Sequence, residues 1–412
     1  MIARSGSGVV RRSMVASAAV LAAALVVTPV LAQAQVSQPF KIGFLSDMSG
    51  IVVDLSGPGS LTSARMAVED YGGKVLGRPI EIVVGDHQNK PDIGVTTARR
   101  WYDEGVRAIF DIGITTVALG VQTLAKEKDR LVVFVSSSSS DLTGSACSPN
   151  GISWTYDNYA QSQGVVRQLI KEGAKTWYFM TVDYAYGRNV QRDTTKMIEA
   201  AGGKVVGSVA HPFETKDFSS NLLQAQASGA DVIALATTTV HAANILKQAS
   251  EFGIRERGQK LAALSLTLHD VKGLGLPAGQ GLLITSPYYW DQTDDTRAFA
   301  KRYFDKFGKM PNFIQASMYG AITHYLKAVD KAGTDDTARV AALMKETPID
   351  DFMSKSGRIR PDGRTVRDFY VFRVKSPAES KGEWDMYSQI ATIPANEAFA
   401  PADPNVCPLV KG

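Results

Sequence analysis

Short apolar runs recur along the chain at regular intervals, separated by stretches whose apolar residues fall at helical spacing. "FKIGFL" from Phe40, "IEIVV" from Ile80, "VRAIFD" from Val106 and "LVVFV" from Leu131 are nearly continuous and rich in β-branched residues. That is the pattern of parallel strands buried on both faces. Between them, Leu61, Ala64, Ala67, Val68 and Tyr71 mark one helix face, with a start near Leu61, and "DIGVTTARRWYDEG" and "VALGVQTLAKEK" give two further helices. The alternation then begins again. "WYFMTV" from Trp177, "KVVGSV" from Lys204, "DVIALA" from Asp231, "LAALSL" from Leu261 and "GLLIT" from Gly281 read as strands, with helices over 187–201, 219–227 and 240–252. Two helices over 296–307 and 314–332 and strands near 369–374 and 386–391 complete the reading. Strands alternating with helices predict an α/β protein of two Rossmann-like, doubly wound lobes. A chain that revisits both lobes at its end crosses between them several times, and such crossings make a hinge.

The first residues stand apart from this pattern. Arg4, Arg11 and Arg12 precede an apolar segment from Met14 to Val30, and "AQA" at Ala32–Ala34 offers small residues for cleavage. Residues 1–34 therefore read as a secretory signal peptide rather than a membrane span. The roughly 375 residues that remain exceed one compact core, which agrees with two lobes. The full chain has 45 Lys+Arg against 41 Asp+Glu, and the leader carries three arginines and no acid. The rest is nearly neutral, which gives no electrostatic case for nucleic acid or for an anionic membrane. No direct membrane insertion is expected once the leader is removed. Two cysteines, Cys147 and Cys407, follow a leader directed to an oxidising compartment. An even count there favours a disulfide that ties the C-terminal tail to the middle of the chain, two unrelated thiols being the alternative.

In an open α/β sheet, ligands bind beyond the carboxyl ends of the strands. That rule selects "SDMSGIVVDLSGPGS" after the first strand, with Asp54 in it; "DIGITT" after the third, with Thr115 and Thr116 at a helix start; and "VSSSSSDLT" after the fourth. A serine run usually reads as a flexible linker, but this one begins where a buried strand ends. Hydroxyls and unpaired N–H groups at helix starts form a receptor for a carboxylate. Ser and Thr also serve as ordinary caps and loop residues, so at single positions capping stays open. Catalytic patterns are missing: no GxSxG elbow, no P-loop and no strand followed by GxGxxG, with "SGPGS" read as a turn. The five histidines lack metal-ligand spacing, and no cofactor is expected. His269 stands on a strand-end loop where it either lines a pocket or does not. Tyr184 and Tyr186 follow the strand from Trp177, and Tyr288, Tyr289 and Trp290 stand where the chain crosses back. Such aromatics enclose a ligand or pack the core.

The leader, "KIGFLSDMSG", the helix opening at "GPGS", "DYAYGR", "HPFETKDFSSNLLQAQASGADVIAL" and the terminal "CPLV" together resemble the leucine/isoleucine/valine-binding type of periplasmic solute receptor of ABC importers, over essentially the whole mature chain. The resemblance implies the type I periplasmic binding protein fold, with two lobes joined by a three-crossover hinge. Projected here, lobe one spans 36–155 plus 288–352, lobe two 156–287 plus 353–395, and 396–412 is a tail tied back to lobe one. It also implies a ligand carboxylate held at Thr115, Thr116, Ser136 and Ser138, Tyr186 packing on the ligand, and Thr238 lining the site from lobe two. One departure matters. Amino-acid receptors of this type carry an acid near "LAALS" that pairs the ligand ammonium, where this chain has Ser265 and Thr267. Unless Asp54, Asp183 or Asp270 substitutes, the ligand lacks an α-amino group. The expected function is that of a non-catalytic periplasmic receptor whose partners are a small carboxylate ligand, of the branched-chain amino acid or the aromatic and aliphatic acid class, and an inner-membrane ABC permease. A sensor for short amides or organic acids, and a periplasmic enzyme, are the rival readings.

Overall fold

The computed structural model describes residues 7–10, 38–254 and 257–411. Apart from residues 7–10, the leader read over 1–34 lies outside the described residues. From Ser37 the chain packs as one unit. Its first sheet contains β1 (Phe40–Ser46), β2 (Lys74–Val75), β3 (Arg78–Asp86), β4 (Ala108–Asp111), β5 (Leu131–Phe134) and β6 (Gly151–Ser153) in the order β2-β3-β1-β4-β5-β6. Every pairing is parallel except that of β2 with β3. The continuous apolar runs are what this demands: Phe40, Ile42, Phe44, Phe110 and Val133 are all fully buried between helices. Trp101 explains two glycines, because a Cβ at Gly43 or Gly85 would stand 2.7 or 2.8 Å from its indole.

The second sheet repeats the scheme with β7 (Thr176–Val182), β8 (Lys204–His211), β9 (Val232–Ala236) and β10 (Lys260–Ala263), all parallel, in the order β10-β9-β7-β8. After β11 (Leu283–Ser286) come the helices Asp294–Phe307, Phe313–Ala332 and Thr337–Glu346 and a small hairpin of β12 (Arg358–Ile359) with β13 (Thr365–Val366). Then β14 (Phe369–Val374) and β15 (Tyr387–Ile393) join β11 in an antiparallel three-stranded sheet. Ile359 and Val366 belong to the core of the first sheet, and Arg364 bridges Ser153 of β6. The hairpin therefore packs against the first sheet.

Local differences from the sequence reading have physical causes. The first helix runs Gly57–Asp70, so "GPGS" is its first turn rather than a separate turn. Pro58 fits there because the first helical N–H groups need no intrahelical partner. Gly59 is required by packing, since a Cβ would stand 2.4 Å from the Gln315 side chain and 2.7 Å from the Tyr303 hydroxyl. The helix Asn158–Lys171 was not expected. It buries Asn158, Gln161, Ser162 and Gln163 beside Val165, Val166 and Leu169, which erases the apolar period on which a sequence reading depends. Thr337–Glu346, also unexpected, is too short for its period to stand out; Asp336 caps it by accepting from the Arg339 N–H at 2.8 Å.

Trp290 packs against both main apolar clusters, and the Tyr289 hydroxyl donates to the Trp384 carbonyl at 2.9 Å. These aromatics have the packing role. Among the described residues no helix is long and apolar enough to cross a membrane.

Cys147 and Cys407 form a disulfide across a sequence separation of 260. The tail is further held by Phe399, which packs edge-on to Phe369 at 5.3 Å, and by Arg360, which donates to the Ala400 carbonyl at 2.7 Å. Closing so long a loop restricts the unfolded chain by about 5–6 kcal/mol on the chain-entropy account. Reduction, or the pair Cys147→Ser and Cys407→Ser, is therefore expected to lower the urea midpoint substantially. Midpoints unchanged by reductant would show that the cross-link contributes nothing.

Candidate functional site

The carboxyl ends of both parallel sheets face one cavity of about 490 Å³, its mouth included. Eight strands, β1 and β4 to β10, contribute through the residues that follow them. Val52 and Leu55 come after β1, Gly113, Ile114 and Thr115 after β4, Ser136 and Ser138 after β5, and Tyr156 after β6. From the other side come Tyr184 and Tyr186 after β7, Phe213 after β8, Thr238 and Thr239 after β9, and Ser265 after β10. Parallel pairing in near-constant register aligns these ends; Leu45, Asp111 and Phe134 stand side by side at the close of β1, β4 and β5.

Of the residues singled out from sequence, Thr115, Ser136, Ser138, Tyr186, Thr238 and Ser265 line this cavity. Thr116 does not: half-buried at its rim, its N–H and hydroxyl reach the Tyr184 hydroxyl at 3.4 and 3.2 Å. Asp54 is also elsewhere, exposed and paired with Lys309 at 3.2 Å. Its carbonyl, not its carboxylate, points inward, accepting from Gln315 with His269 Nδ1 3.3 Å away. His269 spends its other ring nitrogen on the Met310 carbonyl at 2.7 Å and does not line the cavity. Asp183 pairs with Arg188 at 2.6 Å. Asp270 is turned onto the N–H and hydroxyl of Thr267 at 2.7 and 2.6 Å as a capping box. None of the three carboxylates considered for an ammonium faces the cavity, and its lining carries no charged side chain. Tyr156, Phe213 and Thr239 were missed. Phe213 and Thr239 follow strands that the sequence shows, so the strand-end rule extended to them would have found both; Tyr156 follows the three-residue β6, which has no signal of its own.

The hydrogen-bonding state of the lining decides what it can hold. The helix Thr115–Glu127 starts from Ile114, whose side chain cannot cap it, so its first N–H groups are left to the cavity and to Tyr184. Ser136 Oγ is buried without a protein partner. The helix Thr239–Glu251 differs, because Thr238 accepts from the His241 N–H and so lines the cavity while capping. Burial pushes the Tyr186 phenol up to about 12 despite the Ser265 hydroxyl beside it, so it remains a neutral donor. The rest of the serine run turns away. Ser139 accepts from Asn189, and Ser140 bonds Asp193 of the helix Ala185–Ala200. Asp141 takes Asn189 at 2.9 Å and Arg192 at 3.2 Å. Four aromatic rings, Tyr156, Tyr184, Tyr186 and Phe213, complete an enclosure of donors around an apolar body. Among the described residues no His, Cys, Asp and Glu are grouped to hold a metal.

Residues 39–383 match the family model described as periplasmic binding protein. A periplasmic binding protein from Burkholderia mallei is 43% identical, with a TM-score of 0.86 over 88% of this chain and 96% of its own. A branched chain amino acid ABC transporter periplasmic ligand-binding protein from Burkholderia xenovorans is 42% identical, with a TM-score of 0.80 over 88% and 97%. A Leu/Ile/Val-binding protein homolog from Brucella melitensis is 24% identical over 72% of this chain and 81% of its own. An ABC transporter solute binding protein from R. palustris, in complex with benzoate, shares the fold at 20% identity and a TM-score of 0.77, over 87% and 97%.

Behind the wall formed by Phe213 and Thr238, two buried histidines share one hydroxyl. Thr237 Oγ1 lies 3.1 Å from His211 Nε2 and 3.3 Å from His241 Nδ1. Burial, with His211 as a second cause, pushes His241 down to about 4, and burial does the same to His87. Both pKa values lie below the ordinary 6.5, so between these limits the unfolded chain binds more protons than the folded one. Their contribution is complete above the unfolded value and is lost as pH falls through the folded one. The melting temperature is expected to fall on acidification through this window, and His241→Gln to shallow that fall. An identical pH dependence in the variant would refute the assignment to His241.

Proposed function

Because the chain belongs to the periplasmic binding protein family, we propose that it is the solute receptor of an ABC importer and closes two lobes over a small carboxylate. The observation that carries this reading is the uncapped start of the helix at Thr115, opening with the unpartnered Ser136 hydroxyl into a lining without charge. A carboxylate supplies the acceptors these donors lack. An ammonium would find no counter-charge, and an unpaired buried charge is strongly unfavourable. Aromatic or aliphatic carboxylates without an α-amino group fit best, the four rings favouring a flat apolar body. Benzoate, bound by the R. palustris relative, is of this class. The name of the Burkholderia xenovorans relative supports the second reading, a branched-chain amino acid.

In this reading lobe one comprises 36–155 and 288 to about the end of the β12–β13 hairpin, and lobe two 156–287 with β14 and β15. Ligand binds first to Thr115, Ser136 and Ser138. Lobe two then brings Tyr186, Thr238 and Ser265 over it, and greater affinity for the closed form shifts the population. A permease would read the closed shape in the periplasm, reached after loss of the leader. The lining offers no nucleophile paired with a base, which supports binding without turnover.

A thermal-shift series with benzoate, aliphatic carboxylates, keto acids, short amides, leucine and valine separates the two readings, since ligand raises the melting temperature by mass action. Benzoate-class acids are expected to give the shift; a large shift with leucine or valine alone would establish the amino-acid reading instead. With a binding acid in hand, Ser138→Ala and Thr115→Val should each weaken it by about 1–3 kcal/mol through a lost buried hydrogen bond. Affinity unchanged in both would remove these residues from the site.

A further inference from the structure

Asp111, the last residue of β4, lies directly behind the cavity wall and is fully buried. Its Oδ2 accepts from Ser56 Oγ at 2.5 Å. Ser46 from β1 and Ser136 after β5 also neighbour the carboxyl, Ser136 without a formed hydrogen bond to it, and the Tyr156 phenol feels its charge. No cation pairs with it among the described residues. Asp111 Oδ1 and Ser136 Oγ, both buried, are left without a direct partner. The backbone here is strained: Asp111 has φ +90° and Ile112 φ +56°. Left-handed backbone at a β-branched residue persists only where its surroundings over-determine it, and it clusters at ligand sites. Burial is the largest influence on the Asp111 carboxyl and raises its pKa, against three serine hydroxyls that lower it.

The protonation state of Asp111 sets the direction of the Ser136 hydroxyl. An ionised carboxylate would draw the Ser136 O–H to itself, leaving only lone pairs toward the cavity and a negative charge behind them. Both oppose a ligand carboxylate. A neutral acid, with Oδ2 accepting from Ser56, donates from Oδ1 to Ser136 Oγ and frees the Ser136 O–H for the ligand. We propose that Asp111 is a positioning residue, held as the neutral acid, that fixes Ser136 as a donor to the ligand carboxylate. This role rests on the carboxylate reading of the site. Where Asp111 is ionised in the free protein, binding takes up one proton, so affinity falls by about tenfold per pH unit above its pKa.

The test has a spectroscopic arm and a binding arm. The infrared difference spectrum of the native protein against Asp111→Asn at neutral pH should contain a carboxylic-acid carbonyl band lost in the variant. Benzoate and leucine, titrated by calorimetry, are the binding probes. Asp111→Asn, whose amide also donates to Ser136, should bind the active probe within about threefold of native, while Asp111→Ala, which cannot donate, should bind about tenfold more weakly. Native affinity should fall at alkaline pH where that of Asp111→Asn stays level. Binding without the acid band, or Asn as weak as Ala, would overturn the role of Asp111 and leave the carboxylate reading intact. A band with no binding of either probe would overturn the carboxylate reading and with it the role of Ser136. Should Asp111→Asn fail to fold, the native spectrum with its ionisation at alkaline pH, set beside the native affinity profile, decides the matter.

Discussion

A buried hydrogen-bond donor left without an acceptor costs about 1–3 kcal/mol, and parallel α/β sheets generate such donors wherever a strand hands over to a helix. Here two sheets aim those handovers at each other. The N–H groups after Ile114, the Ser136 hydroxyl and the phenols of Tyr184 and Tyr186 converge on one cavity whose lining carries hydroxyls but no charged group. On the proposed function, a ligand rich in acceptors would satisfy these donors. The rest of the fold holds the strand ends still. The helix Gly57–Asp70 is packed against Phe313–Ala332 through Gly59, and the tail is clamped by Cys147–Cys407.

Charge is kept out of the cavity and managed around it. Asp47 takes the N–H groups of Gly50 and Val52 at 2.6 and 3.0 Å, and Asp86 takes the Ser49 hydroxyl at 2.6 Å. The loop after β1 thus consumes its own acids, and Asp54 is spent on Lys309. The segments that cross between the sheets carry buried cations instead. Arg364 lies 3.3 Å from Asp157 and donates to the Tyr156 carbonyl at 2.7 Å, so it fixes the backbone of a residue that lines the cavity. Arg367 rests over the Trp154 ring at 5.3 Å. Breaking a buried pair such as Arg364–Asp157 would be strongly unfavourable.

Most of the scaffold was legible because buried parallel strands declare themselves by continuous apolar runs, and their carboxyl ends then locate the cavity. Thr115, Ser138 and Ser265 could be chosen on that ground and on the resemblance. What escaped did so for physical reasons. The helix Asn158–Lys171 buries glutamine, serine and asparagine, so its period is invisible. Tyr156 follows a strand of three residues. Asp54 was plausible by position, but only the fold reveals that Lys309, far along the chain, claims its carboxylate. Asp111 was not singled out in the sequence. Its importance depends on a backbone twist and on three serines from separate segments, none of which a linear reading brings together.

The serine run links the cavity to a helix of the second sheet. Ser136 and Ser138 face the cavity, while Ser137 between them is buried out of its lining. A few residues later Ser139, Ser140 and Asp141 bind Asn189, Arg192 and Asp193 on a helix of the second sheet. A flexible serine linker would let these two sets of contacts form independently. Here the Tyr156 hydroxyl holds the Ser136 carbonyl at 2.9 Å and the Asn158 N–H holds the Ser138 carbonyl at 2.8 Å, so the backbone between them has little freedom. One rigid segment thus carries both the hydroxyls at the cavity and the contacts to the opposite sheet.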